Sequence, residues 1–192
     1  VVLRFLYNDI FYFSIKYIAH IAVKKMTVTL RPLETDDAEA IAHMGNNPKI
    51  AGFMRDVFPH PYRLENAVAF VNNLKDQNPT KVFAIMADGI IVGCCGIFPK
   101  DDVYRMNAEV GYWLGEEHWG KGIATEATKL IAAYGFETLG MNRIYASVFS
   151  PNKASAKVLE KAGFTYEGTH RQSVYKNGEY LDELFYSLLR KG

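Results

Sequence analysis

The stretch that most constrains this chain runs from Ala108 to Ala133. A strand, A-E-V-G-Y-W-L, leads into G-E-E-H-W-G-K-G-I-A-T, and a helix follows. Between Trp119 and Thr125 the small residues Gly120, Gly122 and Ala124 alternate with Trp119, Lys121 and Ile123. Beyond them Ile123, Ala127, Leu130, Ile131 and Tyr134 recur with the period of a helix packed by one stripe on a core. Glycines just ahead of a helix let backbone N–H groups come close to a ligand. Those groups sit at the positive end of the helix dipole, so the expected guest is an anion, most often a phosphate.

The rest of the chain supplies a scaffold for that turn. Thr27 to Leu33 reads as an edge strand ended by a proline. Thr35-Asp36-Asp37 caps a first helix, with Glu39 as capping-box partner of Asp36. Asn46 to Arg63, rich in Pro and aromatics, reads as irregular, and Leu64 to Gln77 as a second helix. Val82 to Met86 and Ile90 to Phe98 flank the hairpin turn Asp88-Gly89, and the apolar run Ile90 to Ile97 predicts a strand covered on both faces. The glycine turn's helix should end near Leu139, with Gly140 as stop. Arg143 to Phe149 is a strand, Pro151-Asn152 opens a short helix ending at Gly163, and Phe164 to Tyr175 with Tyr180 to Leu189 form a hairpin across Asn177-Gly178. The order β-α-α-β-β-β-α-β-α-β-β predicts an α/β (α+β) fold, a mixed central sheet with helices on both faces.

Length and composition narrow the function. At 192 residues the chain is long enough for one well-packed domain, assigned to residues 26–192. A net charge of +1, with no Lys/Arg block, argues against a nucleic-acid partner. Cys94 and Cys95 are adjacent in mid-strand and read as small core hydrophobes, which fits a reducing cytoplasm; no His or further Cys lies at metal-ligand spacing, so no metal is expected. Val1 to Lys25 is crowded with aromatics but is interrupted by Asp9, Lys16 and His20, so neither a membrane span nor a signal peptide is expected. Because Met26 directly precedes the first clear strand, residues 1–25 read as an extension of uncertain origin, with an arm packing on a partner as the alternative. Edge strands in the final hairpin leave a homodimer open.

Gly115 to Gly122 reads G-x-x-x-x-G-K-G, but Gly122 replaces the Ser/Thr that would hold Mg²⁺ in a P-loop, and no metal-binding Asp follows an apolar run downstream. The pattern W-G-K-G-I-A-T-E-A after its strand instead resembles the pyrophosphate-binding signature of the GNAT N-acetyltransferases, R/Q-x-x-G-x-G/A, with Trp119 in the R/Q position. S-P-N-K-A-S-A-K-V-L-E-K-A-G-F, from Ser150, is similar to the family's next block. E-G-T-H-R-Q-S-V-Y-K-N-G-E-Y-L-D-E and the opening L-R-P-L-E-T-D-D-A resemble the branch that acetylates N-termini of ribosomal proteins, the RimJ/RimL type. The likeness spans Thr27 to Arg190 and leaves out Val1 to Lys25.

The resemblance implies acetyl-CoA as co-substrate. It places the pyrophosphate on Trp119, Gly120, Lys121, Gly122, Ile123, Ala124 and Thr125, and the pantetheine arm along the strand beside Trp113 and Leu114. Asn152 matches the family's Asn at the start of the next helix, though capping explains it as well. Glu109 matches the family's strand glutamate and shares a face with Gly111 and Trp113, opposite Val110 and Tyr112. It reads as a general base acting through water, or as a structural carboxylate. Many relatives protonate the departing thiolate with a tyrosine, where this chain has Leu159; Ser155 is the substitute donor, unless it only satisfies the helix's first turn. Phe53, Met54, Phe58, Tyr175 and Asp182 would wall the acceptor site by the same likeness, while His118 and His170 read as surface residues. The implied reaction moves acetyl directly to a primary amine. A protein N-terminus is favoured over a polyamine, aminoglycoside or amino acid, with a CoA-binding module lacking catalysis as the third reading.

Overall fold

The computed structural model describes residues 26–191; the expectation for residues 1–25 lies outside the described residues. Seven strands form one sheet in the order β1-β2-β3-β4-β5-β7-β6. They are β1 (Val28–Pro32), β2 (Val82–Ala87), β3 (Ile90–Pro99), β4 (Asn107–Leu114), β5 (Arg143–Phe149), β6 (Thr165–Lys176) and β7 (Glu179–Leu189). Every neighbouring pair is antiparallel except β4 and β5. Helices α1 (Asp37–Gly45), α2 (Pro48–Ala51) and α3 (Leu64–Leu74) precede β2; α4 (Ile123–Glu137) and α5 (Lys153–Lys161) follow β4 and β5.

Side-chain alternation sorts the strands onto two cores. Phe83, Ile85, Cys95, Ile97, Val110, Ile144 and Ala146 face α4 and α5, with Ile123, Ile131 and Leu159. Val82, Ala84, Cys94 and Trp113 face α1 and α3, with Ile41, Ala67 and Val71. The two cysteines therefore point to opposite faces, and burial raises both thiols well above their ordinary value, so both are inert core groups. Both hairpin turns have their first two central residues at positive φ: Asp88 with Gly89, and Asn177 with Gly178.

Four local expectations are corrected. Asp36 makes no capping hydrogen bond. The carboxylate that matters is Asp37, buried, which accepts the Glu34 N–H at 2.7 Å and a two-pronged pair from Arg31 at 2.7 and 2.6 Å. The irregular stretch contains α2, because Asn47 accepts the Lys49 N–H at 2.9 Å and Pro48 sits where its missing N–H costs nothing. Helix α3 stops at Leu74, short of Gln77. On α4 the buried stripe runs through Ile123, Ala127, Thr128, Ile131, Ala132 and Gly135, whereas Leu130 is exposed. Thr128 can replace it because its hydroxyl donates to the Ala124 carbonyl at 2.7 Å, leaving a methyl for the core.

Candidate active site

The site lies where β4 and β5 part. Their parallel register runs Asn107↔Arg143, Ala108↔Ile144 and Glu109↔Tyr145; from Val110 onward β4 pairs only with β3, while β5 continues against β7. One edge of β4 beyond Glu109 is thus left with unpaired backbone groups, ready to accept an extended ligand as an added strand.

At the far end of that edge sits the glycine turn. A short 3-10 turn, Glu116–His118, follows Leu114, and the indole N–H of Trp119 donates back to the Leu114 carbonyl at 2.9 Å. Glu116 ties the turn to α2 through Asn47 (2.8 Å) and Lys49. Gly120 and Gly122 are both left-handed, at φ +73° and +80°, and a Cβ on either would meet no protein atom within 4 Å. Their open side is therefore a cradle that only glycine leaves free. Glu126 N–H donates to the Gly122 carbonyl at 3.2 Å, so the N–H groups of Ile123, Ala124 and Thr125 have no acceptor earlier in the helix. An anion fits there. Trp119 is 43% exposed and Lys121 exposed, consistent with a place on the rim. The side chain of Trp113 is buried edge-on against Phe58 at 5.8 Å and its carbonyl lies against Gly93 of β3, whereas the Leu114 carbonyl turns away from β3 to Trp119.

From Leu114 back to Glu109 is about 16 Å of strand. An extended ligand paired along this edge would reach from the cradle to Glu109.

Two polar clusters flank the gap. Tyr112 on β4 reaches across to Ser155 in the first turn of α5, hydroxyl to hydroxyl at 2.8 Å. Burial pushes the Tyr112 phenol up to about 12, and the Ser155 hydrogen bond offsets part of that rise. Asn152 caps α5 by accepting the Ser155 N–H at 3.1 Å. On the other face Glu109, with only 16% of its side chain exposed, holds three partners. Its Oε1 accepts from Arg55, and its Oε2 from Lys100 at 2.8 Å and more distantly from the Tyr145 hydroxyl at 3.5 Å. Hydrogen bonds to Glu109 and Tyr145 raise the Lys100 ammonium above its ordinary value.

Lys100 and Tyr145 also line a cavity of about 550 Å³, bounded by Tyr104, Arg143, Glu167, His170 and Phe185 among others. It lies beyond α1 and α3 on the Glu109 face. The early loop meets the last hairpin at its edge through an Asp56–Lys176 pair of 2.7 Å. Of the residues expected to wall it, Met54 and Phe58 pack in the second core, because Phe58 stacks on Tyr62 at 4.7 Å. Tyr175 pairs with Tyr180 at the exposed hairpin tip, and Asp182 accepts the Gln172 N–H. His170 lines the cavity against Phe185, ring centroids 4.0 Å apart; His118 lies beside Glu117 at 3.5 Å.

Arg55, Lys100, Tyr112 and Tyr145 were not legible as site residues in the sequence. Arg55 stands 54 residues from Glu109 and Tyr112 stands 43 from Ser155, with no spacing to link them. Among the described residues no group of His, Cys, Asp or Glu is placed to hold a metal, and no helix is long and apolar enough to cross a membrane.

Comparison with known proteins follows the same geometry. A family model described as an acetyltransferase (GNAT) domain matches residues 27–165. The chain is 32% identical over 178 residues to the "Putative ribosomal N-acetyltransferase YdaF" of Bacillus subtilis (strain 168), covering 85% of this chain and 92% of that protein. It is also 32% identical over 156 residues to the spermidine N(1)-acetyltransferase of Escherichia coli (strain K12), covering 80% and 81%. The structure of Mycobacterium smegmatis RimJ in complex with CoA-disulfide shares the fold, with a TM-score of 0.75 at 24% identity over 84% of this chain and 81% of that one.

Proposed function

The chain belongs to the GNAT acetyltransferase family and is an acetyl-CoA-dependent N-acyltransferase; from that premise we propose that its acceptor is the α-amine of a protein N-terminus. The observation that carries the reading is the open edge of β4, running from the glycine cradle to Glu109. In this reading the cradle takes the pyrophosphate and the β4 edge pairs with the pantetheine arm. Acetyl-CoA supplies the acyl group as a thioester.

Glu109 accepts the proton of the attacking amine, directly or through one water. An α-amine with a pKa near ~8 is partly neutral at physiological pH, whereas a polyamine or lysine near ~10.4 is not, so a carboxylate suffices for the former. Ser155 donates a hydrogen bond to the departing sulfur, and Tyr112 fixes that hydroxyl's position. The acceptor enters through the cavity beside Tyr145. A polycation would need several free carboxylates there, yet Glu109 is held by Arg55 and Lys100 and Glu167 by Arg143 and Ser187, which leaves the water-exposed Asp101 among the cavity's lining residues. The spermidine acetyltransferase likeness makes a polyamine the second reading.

The test pairs calorimetry with turnover. Glu109→Gln should keep acetyl-CoA affinity within about threefold while lowering kcat on an N-terminal peptide by about 10²-fold or more. Full turnover in that variant would remove Glu109 from the chemistry. Turnover of spermidine in preference to every N-terminal peptide would replace the favoured acceptor with the second reading.

A further inference from the structure

The Glu109 carboxylate is doubly paired, and its two cations differ. Lys100 is 36% exposed at its side chain, and its ammonium sits 5.5 Å from the centre of the Tyr145 ring, so β3 and β5 hold it in place. Arg55 is 69% exposed and reaches Glu109 from the loop after α2. An ion pair with so exposed a partner is weakly held. Its neighbour Asp56 is already committed to Lys176, whose side chain is only 10% exposed, and Glu167 is committed to Arg143 and Ser187. Asp101 also lines the cavity and is exposed to water. If Arg55 leaves Glu109, Glu167 is already paired, and Asp101 lies in water.

An attacking amine needs what Arg55 occupies, the Oε1 of Glu109. We propose that Arg55 is a specificity-determining residue: the acceptor's amine takes its place on Glu109, and a carboxylate on the same acceptor, close to that amine, receives the displaced guanidinium. The exchange conserves ion pairs for an anionic acceptor and strands Arg55 beside a cationic one. The enzyme therefore selects amines that carry a carboxylate nearby, such as an N-terminus with Asp or Glu as its second residue, and discriminates against those carrying a second cation. Arg is suited to this role because its planar fork pairs with a carboxylate in two-pronged fashion. Lys100 remains on Glu109 throughout and keeps the carboxylate in position.

This inference rests on the amine-acetylating reading, and the experiment separates the two. Four acceptors are assayed with the wild-type chain, R55Q and R55E: two peptides differing only in Glu or Lys as second residue, free glutamate, and spermidine. Wild type should prefer the Glu peptide over the Lys peptide by about tenfold in kcat/KM, expressed mainly in KM, since attraction and repulsion of an exposed charge each contribute a few-fold. R55Q should flatten the preference and R55E should reverse it, with unchanged circular dichroism. Equal use of both peptides by wild type, or a preference that survives R55E, overturns the proposal while leaving N-terminal acetylation intact. If only the small amines turn over, the N-terminal acceptor fails and the same charge rule is read from glutamate against spermidine. Turnover of none of the four overturns both.

Discussion

Gly122→Ala tests the cradle directly, because two effects of one methyl can be separated. Gly122 sits at φ +80°, where an L side chain costs about 1–2 kcal/mol. The added Cβ would meet no protein atom within 4 Å, so no packing penalty follows. In a chain of this size each kcal/mol lowers Tm by about 2–4 °C, so the ligand-free variant should melt about 2–8 °C lower. Acetyl-CoA at about 100 times its wild-type Kd should stabilise the wild-type protein by about 2.7 kcal/mol. If the methyl occupies pyrophosphate space and weakens binding at least tenfold, the same concentration adds about 1.4 kcal/mol or less, and the ligand-induced shift halves or disappears. Gly140→Ala is the control: its φ is +68°, its Cβ also meets nothing within 4 Å, and it lies beyond the opposite end of α4, about 22 Å away. It should lose comparable stability and retain the full acetyl-CoA shift. Differential scanning fluorimetry with and without ligand reads all four quantities. A Gly122→Ala protein that keeps the wild-type shift would refute the assignment of the anion to this turn.

Other consequences follow from individual contacts. Burial alone would raise the Asp37 carboxyl, but the hydrogen bond from Arg31, that from the Glu34 N–H and the Arg31 charge outweigh it and hold it below its ordinary value. Its contribution to stability is therefore present above about pH 4 and is lost as pH falls through the lowered folded-state value. Asp37→Asn should flatten that acid limb in urea titrations and cost about 2 kcal/mol at neutral pH, less than for a fully buried pair because the Arg31 side chain is 28% exposed. Gly135→Ala places a Cβ 2.3 Å from Ile144 Cδ1 and 2.5 Å from Ile97 Cδ1, both fully buried. Overpacking of about 1–3 kcal/mol then exceeds the about 1 kcal/mol helix preference for alanine, and the urea midpoint should fall. Ser155→Ala should lower kcat by about 10²-fold with acetyl-CoA affinity retained; an unchanged kcat would leave the Ser155 hydroxyl as a partner of Tyr112 only.

What the sequence made legible was punctuation and period. Asp88-Gly89 and Asn177-Gly178 marked their hairpins, Gly163 marked a helix end, and the alternation of Glu109, Gly111 and Trp113 against Val110 and Tyr112 is the alternation between the two cores. Errors arose where chemistry crosses between elements. Arg31 on β1 captured Asp37, which removed Asp36 from the expected capping box. Leu130 matched the helical period, yet the buried stripe runs through Thr128, whose hydroxyl is satisfied by the Ala124 carbonyl. Phe58 resembled a loop aromatic, but Tyr62 and Trp113 drew it inward. The surroundings of Glu109 belong to the same class, since Arg55, Lys100 and Tyr145 come from three separate segments.

The single parallel pair explains why these parts meet. A parallel neighbour requires a crossover, here α4, and places the C-terminal ends of β4 and β5 at one end of the sheet. Each strand there leads to a helix N-terminus, β4 through the glycine turn to α4 and β5 through a short turn to α5. The anion cradle and the Asn152–Ser155 turn thus stand on opposite sides of one gap. Because pairing stops at Glu109 and Tyr145, the gap closes beside the cavity, which Tyr145 and the Glu109 partner Lys100 line. A ligand laid along β4 is consequently anchored at its charged end and stopped at Glu109. On the proposed reading, an amine entering from the cavity meets it there, where Arg55 stands on the carboxylate. On that reading, release of the exposed Arg55–Glu109 pair precedes transfer.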